Sequence, residues 1–507
     1  MNLKLGLLAI FAATLSPYAA IAELTVASPF TNHAILQRDA PVPIWGQADP
    51  AATVIVEFAG QTKTAKADIN GKWSLKLDPM PASFQARGLK VVAGDSEIVL
   101  DDILVGEVWI CSGQSNMQMA VGAAPGVQAL VPKAKHIRCF EVKRTVAMTE
   151  QDRCEGSWSV QRPNSAVAFS FAYFLQKSAD APVGIILACW GSSSLEAWMP
   201  RDMTETVPDF KTMMAEFDAD TKTRERIISI LNGKRPWSRQ DDIFLRRQTN
   251  ILYNAMIHPL APYGCRGLVW YQGERNTQSM FGMLKDPWYS RNSGMLKYGE
   301  TLKQWILRYR KEWNNNEMRF LTVMLPGFHK QLPTGPKQGP EHPDTHSWAW
   351  MRESQLKSLE LPHAWVANTI DLGDVKNIHP KDKLPVGQRL ALLAAHDTLN
   401  KNVEAIGPMM KEVKVRSANV VVSFDHATGL TTNDGEAPSG FWLSDEAGKW
   451  FEAEAKIEGQ TVVLNSPQLP KPRYVRYAFA GKPKVNLVNA AGLPTYPFRS
   501  DSFSPPK

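Results

Sequence analysis

Ser115 sits in VWICSGQSNM (residues 108–117), where an apolar run stops at Gly113 and a hydroxyl follows two residues later. A serine at such a break either caps a helix or serves as a nucleophile held at a strand end. The second role needs a base, because a hydroxyl attacks poorly at neutral pH until its proton is removed, a task suited to imidazole. It also needs fixed N–H donors for the oxyanion built on an attacked ester carbonyl, each worth roughly 3 kcal/mol in comparable sites. The chain offers candidates for every part. His379 lies in DLGDVKNIHP (371–380), on a loop after the strand-like 364–369 and ahead of a last helix. Gly191 and Ser192 follow the apolar run VGIILACW (183–190), and Asn276 ends QGERN (272–276) after GLVWY (267–271). The N–H of Ser115, at the start of a helix, adds a donor aided by the helix dipole. Met117 stands where a G-x-S-x-G nucleophile elbow requires glycine, which argues against that fold family.

These segments need a scaffold that gathers strand ends. Between 106 and about 400, apolar strands alternate with helices such as 166–176 and 298–313, the pattern of a parallel sheet covered on both faces. Ligands bind such sheets at the carboxyl ends of the strands, where SGQSNM, GSSSLEAW and QGERN all fall. A charged, helix-prone stretch at about 201–249 lacks strand signals and is expected to be an insertion near the mouth of the site. Residues 23–105 and 405–507 carry short alternating strands and turns, as in β-sandwiches, with Asn70-Gly71 as a hairpin signal.

The first 22 residues have the three parts of a secretory leader: Lys4, an apolar core over 5–15, and Ala20-Ile21-Ala22 before Glu23. An exported mature chain is expected, periplasmic or extracellular, without membrane insertion. At 507 residues and 44% hydrophobic the chain is globular and multidomain. A net charge of +7 without dense basic runs gives no reason to expect nucleic acid as a partner. Cys139 and Cys154 are close enough in sequence to pair in an oxidising compartment, and five cysteines leave at least one unpaired or bridged between molecules. Trp190, Trp198, Trp270 and Tyr271 suit either a sugar platform or the core, and Glu196 suits bracing its loop.

Together, GQSNM, WGSSSLEAW, WYQGERN and DLGD…IHP…VGQRLA resemble the blocks of the sialate O-acetylesterase family, within the SGNH-type hydrolases. The likeness extends through VRY (475–477) and LPTYPFRSD (493–501), and so over nearly the whole mature chain. It implies an α/β fold, with an SGNH-type (flavodoxin-like) parallel sheet flanked by N-terminal and C-terminal β-sandwich-like regions. It makes Ser115 the nucleophile and His379 the base, and puts Gly191 or Ser192 and Asn276 in the oxyanion hole. An O-acetylated glycan is the implied substrate, with no metal or organic cofactor. Two departures stand out. Such enzymes place an acid three residues before the histidine, where this chain has Lys376. Asp374 is therefore expected as the acid, with Glu274 as its alternative, Asp371 more remote, and a Ser–His dyad also open. Arg275 replaces a small residue and suits either a substrate carboxylate or a structural ion pair, while Ser192 replaces a glycine. The reading is an exported serine esterase that removes O-acetyl groups from a glycan, foremost O-acetylated sialic acid, through an acetyl-enzyme on Ser115. Acetylated xylan or pectin as substrate, or a non-catalytic carbohydrate-binding protein, are the alternatives.

Overall fold

One 18-residue strand, β1 (Ser96–Gly113), sets the frame. Its start, SEIVLDD, alternates exposed and half-buried positions, whereas every residue from Ile103 to Gly113 is buried. The first pattern suits a sheet with one wet face, the second a sheet covered on both. Accordingly, the first half of β1 pairs antiparallel with Ser83–Ala93 in the N-terminal region, and the second half enters a parallel sheet. The computed structural model describes residues 23–278, 294–330, 337–343, 347–399 and 401–505, so the expected leader lies outside the described residues.

The parallel strands are β1, β2 (Ile137–Glu141), β3 (Val183–Cys189), β4 (Gly267–Tyr271), β5 (Arg319–Val323) and β6 (Ala364–Ala367), in the order β2-β3-β1-β4-β5-β6. All five ladders between them are parallel. The helices of this region include α1 (Ser115–Gln118), α2 (Ala166–Ala179), α3 (Tyr298–Glu312), α4 (Ser347–Leu356) and α5 (Leu384–Thr398). Side chains alternate across a strand, and Trp270 pairs with Ser112, so Trp270 and Trp109 lie on opposite faces. Trp109 meets Phe171 of α2 edge-on at 5.3 Å, while Trp270 meets Trp305 of α3 at 4.7 Å. Helices thus cover both faces. Three more helices, Pro208–Ala219, Thr221–Leu231 and Arg239–Leu245, fill the expected insertion.

Beyond α5 the chain forms antiparallel sheets, including Met409–Arg416, Asn419–Asp425, Thr461–Asn465 and Glu454–Glu458. Arg352 of α4 ties this region to the parallel sheet by donating to Leu325 O, Pro326 O, Ala480 O and Gly481 O.

Three expectations need correction. The boundary at 105–106 falls inside β1, which runs unbroken from one region into the next. Asn70-Gly71 is a turn without a hairpin: Gln61–Lys66 pairs with Thr53–Phe58, while Lys72–Leu77 pairs with Val42–Gln47. The Asp68 carboxylate accepts from Asn70 N and Lys72 N and holds that turn without a ladder beyond it. Cys139 and Cys154 do not pair; all five cysteines are free thiols, and burial pushes the Cys154 thiol up to about 11. Among the described residues, no helix is long and apolar enough to cross a membrane.

Candidate active site

The end of β1 is shaped by contact with β4. Gly113 has φ +137°, and a Cβ there would sit 2.2 Å from Tyr271 O, so glycine alone fits. The next residue, Gln114, donates its N–H to Tyr271 O and accepts from Arg275 N and Gln272 Nε2 through its side chain. Ser115 then opens the single turn α1. Ser165 Oγ, donating to Met117 O at 2.6 Å, secures the turn from behind. The Ser115 side chain caps nothing, so the capping role considered for it is not the one it has.

His379 arrives on the loop after β6, and its Nε2 lies 2.8 Å from Ser115 Oγ. The loop is folded by its own polar groups: Asp374 Oδ1 accepts from Lys376 N and Asn377 N at 2.7 Å, and Asn377 Oδ1 accepts from His379 N. Those backbone bonds hold the Asp374 carboxyl below its usual range. Burial, and secondly the Lys383 ammonium, hold the His379 imidazole below its usual range, so it is neutral and able to take a proton at neutral pH.

The expected acids are not brought to this ring. Asp374 is engaged with its own loop backbone. Glu274, buried at 3% exposure, instead accepts from Asn116 Nδ2 at 2.5 Å. Burial pushes its carboxyl above the usual range, with the Asn116 bond opposing. The same Nδ2 donates to Ile378 O at 3.0 Å, and Asn116 Oδ1 accepts from Lys383 Nζ at 2.6 Å. Burial draws the Lys383 ammonium down to about 8. Among the described residues no carboxylate pairs with the His379 ring, and a polar layer lies beneath it instead.

The loop after β3 supplies the opposite wall. Gly191 packs so close that a Cβ would lie 3.3 Å from Ser115 Cβ, and its N–H donates to Gln118 Oε1 at 2.7 Å. Ser192 has φ +61°, in the left-handed region, which accounts for the usual glycine there. The insertion leans on this loop: Trp237 stacks on Trp190 at 6.1 Å, and Trp190 Nε1 donates to Asp242 Oδ1.

Asn276, expected as an oxyanion donor, is engaged elsewhere. Its Nδ2 donates to both Glu196 oxygens at 3.1 Å, and its Oδ1 accepts from Leu195 N and Gln272 Nε2. Glu196 therefore braces the loop through the Asn276 amide. Arg275 is buried at 4% exposure. Trp190, Trp198, Trp270 and Tyr271 are buried at 2% or less and belong to the core, not to a sugar platform. Sequence reasoning missed Asn116 and Gln118, both one to three residues from Ser115, and Lys383, for which no spacing signal exists.

No family model matches the chain. It is 25% identical over 488 residues to the sialate O-acetylesterase of Mus musculus, covering 87% of this chain and 86% of that protein. The Rattus norvegicus sialate O-acetylesterase is 26% identical over 500 residues, with 90% of each covered. The crystal structure of XAC1771, a novel carbohydrate acetylesterase from Xanthomonas citri, superimposes with a TM-score of 0.78 at 31% identity, covering 94% of this chain and 100% of that one. A parallel sheet whose strand ends bring serine to histidine, shared over this length, defines a carboxylic ester hydrolase of the carbohydrate acetylesterase class. The chain belongs to the sialate O-acetylesterase family.

Proposed function

We propose that the protein hydrolyses O-acetyl esters on a glycan through an acetyl-enzyme on Ser115. The observation that carries this reading is the 2.8 Å approach of His379 Nε2 to Ser115 Oγ across 264 residues of sequence. As Oγ attacks the acetyl carbonyl, Nε2 takes its proton and then gives it to the departing sugar oxygen. Water deprotonated by the same nitrogen releases acetate and restores the serine. The Ser115 N–H, Gly191 N–H and Ser192 N–H are the oxyanion donors in this scheme, and Gln118 must release Gly191 for its N–H to serve. The SGNH-type assignment is supported by strand order: without the edge strand β2, the sheet runs β3-β1-β4-β5-β6, the flavodoxin-like arrangement.

O-acetylated sialic acid is the foremost substrate, supported by the two rodent relatives. Another acetylated glycan is the second reading, because the more similar relative, XAC1771, is described as a carbohydrate acetylesterase. Acetate release from 9-O-acetyl sialic acid and from acetylated xylan, measured side by side, separates the two. Ser115→Ala is expected to abolish release from whichever is cleaved while the fold persists. Retained release would remove the acetyl-enzyme.

A further inference from the structure

Among the described residues no carboxylate meets the His379 ring, and the loop that carries it is gripped by Asn116 through Ile378 O. We propose that Lys383, acting through Asn116, is a positioning residue that takes over the work of a triad acid by fixing the turn at Ile378–His379. This inference rests on the Ser115–His379 reading above. The Asn116 amide has one acceptor and two N–H donors, and all three are engaged: Oδ1 by Lys383 Nζ at 2.6 Å, Nδ2 by Glu274 Oε1 at 2.5 Å and by Ile378 O at 3.0 Å. An ammonium can only donate, so the side facing Lys383 must be the carbonyl oxygen. That choice turns the NH2 group toward Ile378 O, the carbonyl of the peptide that carries the His379 N–H. Flipping the amide would set two oxygens against each other at Ile378 and again at Glu274. Lys383 thus holds the amide in the sense that Glu274 and Ile378 O also require, and the amide in turn grips the catalytic loop.

Lys383 is well placed to do this. It is 1% exposed, lies immediately before α5, and has its Nζ 5.2 Å from the centroid of the Tyr271 ring of β4. The charged groups facing it are Glu274, from the loop after β4, and Asp382 beside it. Among the described residues, Lys383 is the charged group that bears on His379: the Asp374 carboxylate is bonded to its loop backbone and Lys376 is exposed. Second to burial, Lys383 therefore also helps to keep the base unprotonated.

Lys383→Met should lower kcat about 100-fold through misplacement of the base, with KM moving less than about threefold. The acid limb of kcat/KM should move upward by at least about half a pH unit, because a cationic neighbour has gone. A packing defect alone would not move that limb. Folded Lys383→Met protein with kcat within about threefold of wild type, or with an unmoved limb, overturns the proposal. Should that variant fail to fold, Asn116→Asp decides: it is isosteric, cannot donate to Ile378 O, and should show the same loss and upward shift. Wild-type behaviour there overturns the proposal equally. Ser115→Ala, assayed in parallel, keeps the two ideas apart. If it still releases acetate, the serine mechanism itself has failed; if it is dead while Lys383→Met is normal, only the positioning role has.

Discussion

Arg352 and Lys383 are both sealed from solvent, at 0% and 1% exposure, yet their surroundings differ. The guanidinium of Arg352 meets four backbone carbonyls, two following β5 and two in the C-terminal region. A planar fork suits that arrangement, and although burial draws the guanidinium down to about 9, it stays charged at neutral pH. Lys383 donates to a side-chain amide, with a carboxylate one step behind it. Burial draws its ammonium to about 8, so it titrates nearer to neutral pH. One cation joins two regions of the molecule; the other adjusts a neighbour.

The largest effect should come from removing the clamp. Arg352→Met leaves four buried carbonyls without a donor and should lower stability by about 3–5 kcal/mol in urea unfolding. Activity per folded molecule should change little. A loss well under 1 kcal/mol would mean that the two cations are not so different. The second effect is a pH dependence. The Lys383 ammonium titrates near 8 in the folded protein and at its ordinary, higher value when unfolded, so between roughly pH 8 and 10.5 the unfolded chain binds more protons. Stability then rises with pH across that window. Wild type should gain about 2–3 kcal/mol on Lys383→Met over it, and parallel curves would show that Lys383 is not held down. The smallest effect concerns the loop carboxylate. Asp374→Asn should change kcat by no more than about threefold, whereas a loss of about 10⁴-fold, as on removing a triad acid, would return that role to Asp374.

Much of this was legible in the sequence. The four loops announced themselves because each follows an apolar run and opens with glycine or short polar residues, as at Gly113 and Gly191. The parallel sheet followed from strands such as VGIILACW, which have no polar face to show water. What the sequence concealed is which polar groups choose each other. Asn116 reaches partners 158, 262 and 267 residues away, and no local pattern encodes those choices. Likewise no local pattern shows that the Asn276 amide meets Glu196, 80 residues away. Asn70-Gly71 was misread for a related reason: the turn is real, but which strands pair is settled elsewhere in the sheets.

The continuity of β1 has a mechanical consequence. Ser115 stands two residues past the tip of a rod whose other end is laced into the N-terminal sheet through Ser83–Ala93 and Ile35–Gln37. Severing the chain near residue 105 would cut the rod rather than a tether, so the first hundred residues are the footing of Ser115 and not a detachable accessory.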